Sequence, residues 1–162
     1  TGTTPIANGG TAATTLAGAG LVNTPAFMVY NNASQDFASG ATTKVLFNTE
    51  MIDSDGTFAS NAFTPAVAGK YFLQAITTIA GIDLGEKLTL SFKKNGGQIT
   101  TPYTSFEGYG TYTDSAPSAS ISTFIESDTN DYFEVFLYNN EGGTPVVGAN
   151  TSYFFGYRII GA

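Results

Sequence analysis

After residue 25 the chain consists of short apolar runs in which hydrophobic and polar positions often alternate. The runs are rich in β-branched and aromatic residues, which favours strands, and Gly-containing turn sequences such as 54–56 and 95–97 separate them. The clearest runs are AFMVYNN, KVLFN, KYFLQAITTIA, KLTLSFKKNGG, SASISTFIES, DYFEVFLYNN and SYFFGYRIIG. No helical repeat of useful length is found. The pattern predicts an all-β, antiparallel sandwich or jelly roll of about ten strands.

The apolar positions also predict how the strands are buried. The run KLTLSFKK alternates cleanly, with Leu88, Leu90 and Phe92 on an inner face and Thr89, Ser91 and Lys93 on a wet one. Two other runs are apolar on both faces: Tyr71, Leu73 and Ile79 lie opposite Phe72 and Ile76, and Tyr153, Phe155, Tyr157 and Ile159 lie opposite Phe154 and Ile160. An antiparallel strand with two apolar faces needs two burial partners. We expect the sandwich core on one side and a second subunit on the other.

Composition indicates a polar surface with few charges. Hydrophobic residues make up 42% of the chain and charged residues 12%, so Thr, Ser, Asn, Gly and Tyr must cover most of the surface, as in many extracellular β-proteins. The net charge is −7 and the six basic residues are scattered, so we expect no nucleic-acid partner. The sequence has no long apolar run and no basic segment leading into one, so we expect neither membrane insertion nor a secretion signal.

Residues 1–24 differ from the rest because they are nearly all small and show no period. Two interpretations stay open. The segment is a flexible linker, or it is a fibre neck in which small residues let three chains approach closely and Ile6, Leu16, Leu21 and Val22 plug the axis. The stretch PIANGGTAATTLAGAG resembles the Gly-Gly-Thr-rich segments found in bacteriophage tail-fibre proteins before a distal domain. We therefore expect a neck or linker over 1–24 and one domain over 25–162.

The stretch FNTEMIDSDGTFASNAFTPAVAGKYFLQA carries a motif of six positions: Phe47, Asp53, Phe58, Phe63, Gly69 and Tyr71. Their spacing resembles the signature of the C1q/TNF-like family of trimeric jelly rolls. The sequence departs from that signature in two places. The gap between Phe58 and Phe63 is shorter, which predicts a tighter turn. Leu73 and Ala75 replace aromatic residues, which predicts that a large residue from the C-terminal strand fills the space.

The resemblance extends over about residues 25–161. SFKKNGG resembles the family's strand ending in a Lys-Asn-Gly turn, and SDTNDYFEVFLYN resembles the acidic turn before the penultimate strand. YFFGYRII resembles the aromatic-Gly-aromatic closing strand, which contributes Tyr153, Phe155 and Tyr157. The resemblance implies a homotrimeric jelly roll in which these residues and the six motif positions form the core and the subunit contacts.

Catalytic chemistry has little basis in this sequence. The chain has no His and no Cys, which excludes Ser-His-Asp and Cys-His nucleophilic catalysis. A carboxylate pair of the glycosidase type is the remaining alternative, and nothing in the sequence fixes the separation of such a pair. We therefore predict that the protein is not an enzyme.

Two acidic segments are candidate metal sites. IDSDG lacks the later ligands of an EF-hand loop, so it predicts an Asp-rich tight turn. ESDTND offers Glu126, Asp128 and Asp131 on one loop, and the resemblance to C1q-like heads implies calcium near the apex of a trimer. Calcium is therefore the candidate cofactor, and a solvated turn is the alternative.

The candidate binding segment is PYTSFEGYGTYTD, in which aromatic residues recur at every third position among Thr, Ser and Gly. This spacing suits neither a strand nor a helix core and predicts a loop that exposes rings. Rings beside hydroxyl groups and a carboxylate are suited to sugars, because sugar C–H faces stack on rings while polar groups meet the hydroxyls. The candidate residues are Tyr103, Phe106, Glu107, Tyr109 and Tyr112. Packing of these rings in the sandwich or the subunit interface is the alternative.

These observations predict a non-catalytic, trimeric attachment domain at the tip of a phage tail fibre or virion spike. Its partners would be two further copies of itself and a host cell-surface glycan or outer-membrane component. Two alternatives stay open: a purely structural knob that registers and caps a fibre, and a bacterial extracellular C1q-like adhesin. All three place the protein outside the cell, on the virion surface in the first case.

Overall fold

The computed structural model describes residues 22–82, 87–99, 105–109, 116–139 and 144–160, together with Thr15 and Ala19, and for 105–109 it describes the backbone. The regular structure in these ranges is β throughout, which confirms the all-β prediction. Its fourteen strands are β1 (Ala26–Tyr30), β2 (Gln35–Asp36), β3 (Thr42–Lys44), β4 (Thr49–Asp53), β5 (Phe58–Ala59), β6 (Ala62–Phe63), β7 (Gly69–Ala80), β8 (Lys87–Lys94), β9 (Gly97–Gln98), β10 (Ser105–Tyr109), β11 (Ser118–Ser127), β12 (Phe133–Asn139), β13 (Val146–Val147) and β14 (Tyr153–Arg158). The count exceeds the expected ten because six of the strands have only two or three residues.

The strands form two antiparallel sheets that face each other as a sandwich. In the first sheet the long strands lie in the order β11-β7-β14-β1-β4, and β13 pairs with the end of β7 and with β2. In the second sheet the order is β10-β8-β12-β6-β5, with β3 also pairing with β12 and β9 with β8. The predicted jelly-roll sandwich is therefore confirmed.

Phe154 on β14 lies at the centre of the core between the sheets. Its ring centroid is 4.7 Å from that of Phe27 in an edge-on arrangement, 5.7 Å from Phe47 and 5.8 Å from Phe92. In the strand register Phe154 lies opposite Ala75 of β7. The small side chain of Ala75 leaves the space that the Phe154 ring occupies. The C-terminal strand thus supplies the large residue that the sequence predicted.

The aromatic residues of the motif are core residues. Phe47, Phe58, Phe63 and Tyr71 are all buried. The Tyr71 hydroxyl donates to the backbone carbonyl oxygen of Val67 at 2.7 Å, so this polar group keeps a partner inside the protein. The packing role predicted for these four residues is confirmed.

The short gap between Phe58 and Phe63 is a tight hairpin turn. Ser60 and Asn61 connect β5 to β6, and both have left-handed backbones, with φ of 54° and 59°. Two central residues with positive φ define the type I′ turn, whose twist matches that of paired strands. The tighter turn predicted from the sequence is therefore confirmed.

Asp53 and Gly69 are the two motif positions that are only half-buried and lie outside the core. The Asp53 carboxylate accepts hydrogen bonds from the Thr57 backbone N–H at 2.8 Å, the Thr57 hydroxyl at 3.0 Å and the Phe58 backbone N–H at 2.9 Å. Burial alone would raise the pKa of Asp53, but these donors favour the ionised form more strongly, so its pKa lies below the ordinary value. A core position for Asp53 is therefore corrected, since its side chain is only half-buried and braces the turn between β4 and β5. A subunit contact of Asp53 stays a prediction.

Ser91 is a second correction, because the sequence placed it on a wet face and the structure buries it. It lies in the middle of β8, between Ser105 on β10 and Phe136 on β12. Strands are paired with it on both sides, so little of its small side chain is exposed. Period-two alternation alone does not reveal this local cover.

Gly156 on β14 is required by close packing, and this gives the first prediction. A Cβ atom at this position would lie 2.6 Å from Leu73 Cδ2 and 2.7 Å from the backbone oxygen of Phe72. Because the oxygen belongs to a paired strand, it cannot move away easily.

We expect Gly156→Ala to lower the free energy of unfolding by about 3 kcal/mol, measured by urea unfolding at fixed chain concentration. The control is Gly97→Ala, whose Cβ would lie 3.5 Å from its nearest neighbour. Equal stability of the two variants would contradict the packing described here.

Candidate functional site

The first sheet is apolar on both sides, and its outward side is the largest candidate surface. The strand register aligns outward-pointing residues of β11, β7, β14, β1 and β4 in three rows. We call this surface the outer face. Its apolar members are Phe124, Phe72 and Tyr157 in the first row, Phe155, Met28 and Ile52 in the second, and Ile76, Tyr153 and Tyr30 in the third.

The outer face is exposed although it is rich in aromatic rings. Phe124 is 66% exposed, Ile52 55% and Tyr157 40%. The Phe72 ring packs between two other rings of the first row. Its centroid lies 5.3 Å from that of Phe124 and 5.6 Å from that of Tyr157. No residue in the three rows carries a charge. The rows also contain the polar residues Gln74, Ser120 and Ser122. A surface this rich in exposed rings nevertheless marks a site of association.

A depression lies at one end of the outer face. It has a volume of about 310 Å³ and is lined by Lys70, Phe124, Ile125, Glu126 and Ile159. Lys70 and Glu126 are register partners on neighbouring strands, and the Ile159 backbone N–H donates to the Lys70 carbonyl oxygen at 2.8 Å. The outer face therefore ends in an apolar hollow with one cation and one carboxylate at its wall.

The segment predicted to expose aromatic rings is corrected in part. Tyr103 and Tyr112 lie outside the described residues. Phe106, Glu107 and Tyr109 belong to β10, which pairs with β8 along its whole length, so residues 105–109 form a strand and not the predicted loop. Their side chains also lie outside what the structure describes. A receptor-binding role for the five residues stays a prediction.

In the acidic loop expected to bind calcium, Asp131 already has partners from its own chain. The Asp131 carboxylate accepts hydrogen bonds from the Lys94 ammonium group at 2.7 Å, Asn95 Nδ2 at 2.7 Å and the Asp128 backbone N–H at 2.6 Å. Among the described residues no three His, Cys, Asp or Glu side chains form a group able to hold a metal ion. The side chains of Glu126, Asp128 and Asp131 therefore form no such group within one chain, and the Asp131 carboxylate links its own loop to the end of β8. Calcium near the apex of a trimer stays a prediction.

Sequence analysis missed the part of the outer face that β1 and β4 contribute. Met28 and Tyr30 point outward from β1, while Phe27 and Val29 point into the core. The same two-sided apolar pattern that was recognised in β7 and β14 is present in AFMVY, so it was a usable signal. The outward position of Ile52 depends on its pairing with Met28 across the sheet, and sequence alone does not give that pairing.

Comparisons with known proteins agree with this architecture. The fold is similar to that of the globular domain of zebrafish complement 1qA protein, with a TM-score of 0.63 and 18% identity, covering 83% of this chain and 97% of that one. It is also similar to the crystal structure of murine APRIL at pH 5.0, with a TM-score of 0.60 and 8% identity, covering 83% of this chain and 98% of that one. No protein-family model and no curated protein matches the sequence.

The fold and the motif together define the class. The chain has a C1q/TNF-like jelly-roll fold, as its sequence motif predicted. At these identities the likeness concerns the fold alone. Within the described ranges no helix has the length and apolar character needed to span a bilayer.

The contacts of the Asp131 carboxylate with Lys94, Asn95 and the Asp128 N–H form an ionic brace, which generates the second prediction. Burial raises the pKa of Asp131, but its hydrogen bonds with Lys94, Asp128 and Asn95 lower it more, so the net shift is downward. A carboxyl group with a lowered folded pKa stabilises the protein above its unfolded pKa of about 3.9, and this contribution is lost as the pH falls through the folded pKa.

We expect Asp131→Ala to cost about 2 kcal/mol of stability at pH 7. Because protonation removes the same interaction from the unmodified chain, the difference between the two should shrink below about pH 4. Urea unfolding at pH 7, 5 and 3 measures both effects. The matched control is Asp128→Ala, which removes an exposed carboxylate from the same loop. A difference that stays constant down to pH 3 would contradict the ionic brace.

Proposed function

We propose that the chain is a non-catalytic, homotrimeric attachment domain that binds a host cell-surface receptor. The observation that carries this proposal is the outer face. A monomer would leave its clustered rings in water, whereas association would bury them at roughly 25 cal/mol for each Å² of apolar surface. The same sheet buries its inner side against the second sheet, so a second subunit is the burial partner that the outer side lacks.

Three copies about an axis suit this surface. The resemblance to C1q/TNF-like heads implies a trimer, and the similarity of fold supports that resemblance. The hollow beside Phe124 continues the outer face to the end of the sheet and offers a recess for an apolar side chain of a neighbouring subunit. Packing rings into recesses of this kind concentrates binding energy at the centre of an interface.

An attachment role at the virion surface follows from the remaining features. The stretch PIANGGTAATTLAGAG resembles the segments that precede distal domains in phage tail fibres, which supports a position at a fibre tip outside the cell. A trimer presents each weak binding site three times, and linked sites raise avidity by about 10²–10⁴ without any new contact. A surface with few charges limits nonspecific adhesion. The receptor class proposed is a host glycan.

A structural knob is the second candidate, and the outer face favours it equally, because such a knob needs the same subunit contacts. It differs from an attachment domain in having no ligand. A measurement of binding to cells therefore distinguishes the two functions, whereas a measurement of assembly alone does not.

Assembly is the third prediction. Light scattering after gel filtration should give a mass three times the 16.9 kDa of the chain. Phe124→Glu should shift this mass to that of one chain, because the interface would then bury a charge without a partner. The control is Leu46→Glu, which introduces the same charge at a side chain that is 43% exposed and lies outside the outer face. A monomeric unmodified chain would overturn the trimer.

Attachment is the fourth prediction. Fluorescently labelled trimer should bind saturably to cells of at least one strain in a panel of bacteria, and Phe124→Glu should bind those cells about 10²-fold more weakly because it loses avidity. Flow cytometry over a concentration series measures both. A stable trimer that binds none of the strains would support the structural knob. Equal binding by trimer and monomer would contradict the multivalent mechanism.

A further inference from the structure

A second, smaller cavity opens at the opposite edge of the sandwich from Phe124. It lies between the edge strand β4 of the first sheet and the β5–β6 hairpin of the second. Its volume is about 170 Å³, below the roughly 300–1,000 Å³ of pockets for drug-sized ligands, so it suits a single small ring. The lining residues are Phe47, Asn48, Glu50, Phe58, Ala59, Ser60 and Asn61.

The polar groups around this cavity have unused hydrogen-bonding capacity. Asn61 Oδ1 is buried and accepts no hydrogen bond, which is uncommon for a buried amide oxygen and calls for a ligand or a local explanation. Asn48 uses its Oδ1 to accept from the Asn32 backbone N–H at 2.8 Å, which leaves its two amide N–H donors. In the described part of the chain the Glu50 carboxylate forms no ion pair.

The cavity is also held in a fixed shape. Asn61 and Ser60 form the type I′ turn, whose left-handed backbone fixes where their side chains begin. The floor rings are anchored in the core, since the centroids of Phe47 and Phe58 lie 5.7 Å and 6.1 Å from that of Phe154. A site that is formed before binding avoids the entropy cost of ordering loops and side chains.

The chemistry of the lining selects a class of ligand. An anion is disfavoured by Glu50, because the cation that contacts the turn, Lys44, is already paired with Glu134 at 2.6 Å. A metal ion is disfavoured because Glu50 is the cavity's one carboxylate. The cavity is lined by amide groups, the Glu50 carboxylate and the Ser60 hydroxyl, together with aromatic rings. These groups match a ligand ring that has apolar C–H faces and many hydroxyl groups.

We propose that this cavity binds one neutral sugar residue of a cell-surface glycan. This inference rests on the proposed attachment function and names the site that performs it. Hydroxyl groups of the sugar donate to Glu50 and, after a small rotation of its amide, to Asn61 Oδ1. The amide of Asn48 donates to a sugar oxygen. The sugar C–H face contacts the small part of Phe47 and Phe58 that the core leaves accessible, since these rings are 2% and 7% exposed.

The test uses the full chain and two matched variants. Asn61→Gly removes the amide but keeps a residue that adopts positive φ readily, so the turn should survive. Asn150→Gly is the control, because Asn150 also has a positive φ of 61°, is exposed, and does not line the cavity. The probes are methyl glycosides of glucose, galactose, mannose, fucose and N-acetylglucosamine, with N-acetylneuraminic acid as the anionic sugar, in saturation-transfer and titration NMR.

We expect at least one neutral glycoside to bind, with affinity reduced about tenfold or more by Asn61→Gly and unchanged by Asn150→Gly. The site would be overturned if no neutral glycoside binds at ligand concentrations up to about 10 mM, at which sites with millimolar Kd approach saturation. Equal loss in both variants, or a preference for the anionic sugar, would overturn it as well.

The outcome for this cavity can be separated from that for attachment. If Asn61→Gly trimer still attaches to cells as the unmodified trimer does, the cavity is not the receptor site and attachment stands. If neutral sugars saturate the cavity while the unmodified trimer attaches to no strain, sugar binding stands and the attachment function fails.

Discussion

Strand β7 imposes the constraint on which the rest of the structure depends, because it must bury two apolar faces. Its inward residues, Tyr71 and Leu73 among them, lie fully inside the sandwich. Its outward Phe72 is covered only in part, by rings of the flanking strands β11 and β14. The fold satisfies the first face within one chain, and the proposed trimer would bury the second. One twelve-residue strand thus contributes both to the core and to the proposed assembly surface.

The core could be predicted because it depends on local alternation and on spacing within one motif. Phe47, Phe58 and Phe63 lie close in sequence, and their burial follows from the motif alone. The strand at 105–109 could not be predicted from its own residues, since aromatic positions at every third residue do not fit a strand. Pairing with β8 overrides this local pattern, as context commonly does in sheets.

The acidic residues show a different limit of sequence reasoning. The resemblance implied a core or subunit role for Asp53 and a calcium role for Asp131, with a solvated turn as the alternative. In the structure both carboxylates accept hydrogen bonds that brace turns. The donors to Asp131 include Lys94 and Asn95, which are more than thirty residues away along the chain. Which carboxylates remain available for a ligand is therefore decided by the fold. The edge cavity escaped prediction for the same reason, because Glu50 and Asn61 meet only when the sheets pack.

The positions of the two surfaces allow assembly and ligand binding to coexist. Phe124 lies on β11 at one edge of the first sheet, and the small cavity lies beside β4 at the other edge. Four strand spacings of about 4.8 Å separate these edges by about 19 Å. Burial of the outer face around Phe124 therefore need not cover the cavity, whose opening lies between the sheets. In the proposed trimer, a weak single-ring site of this size would gain useful affinity only by repetition. Burial of the apolar outer face between subunits would then be the physical condition for the cavity to function in the proposed attachment.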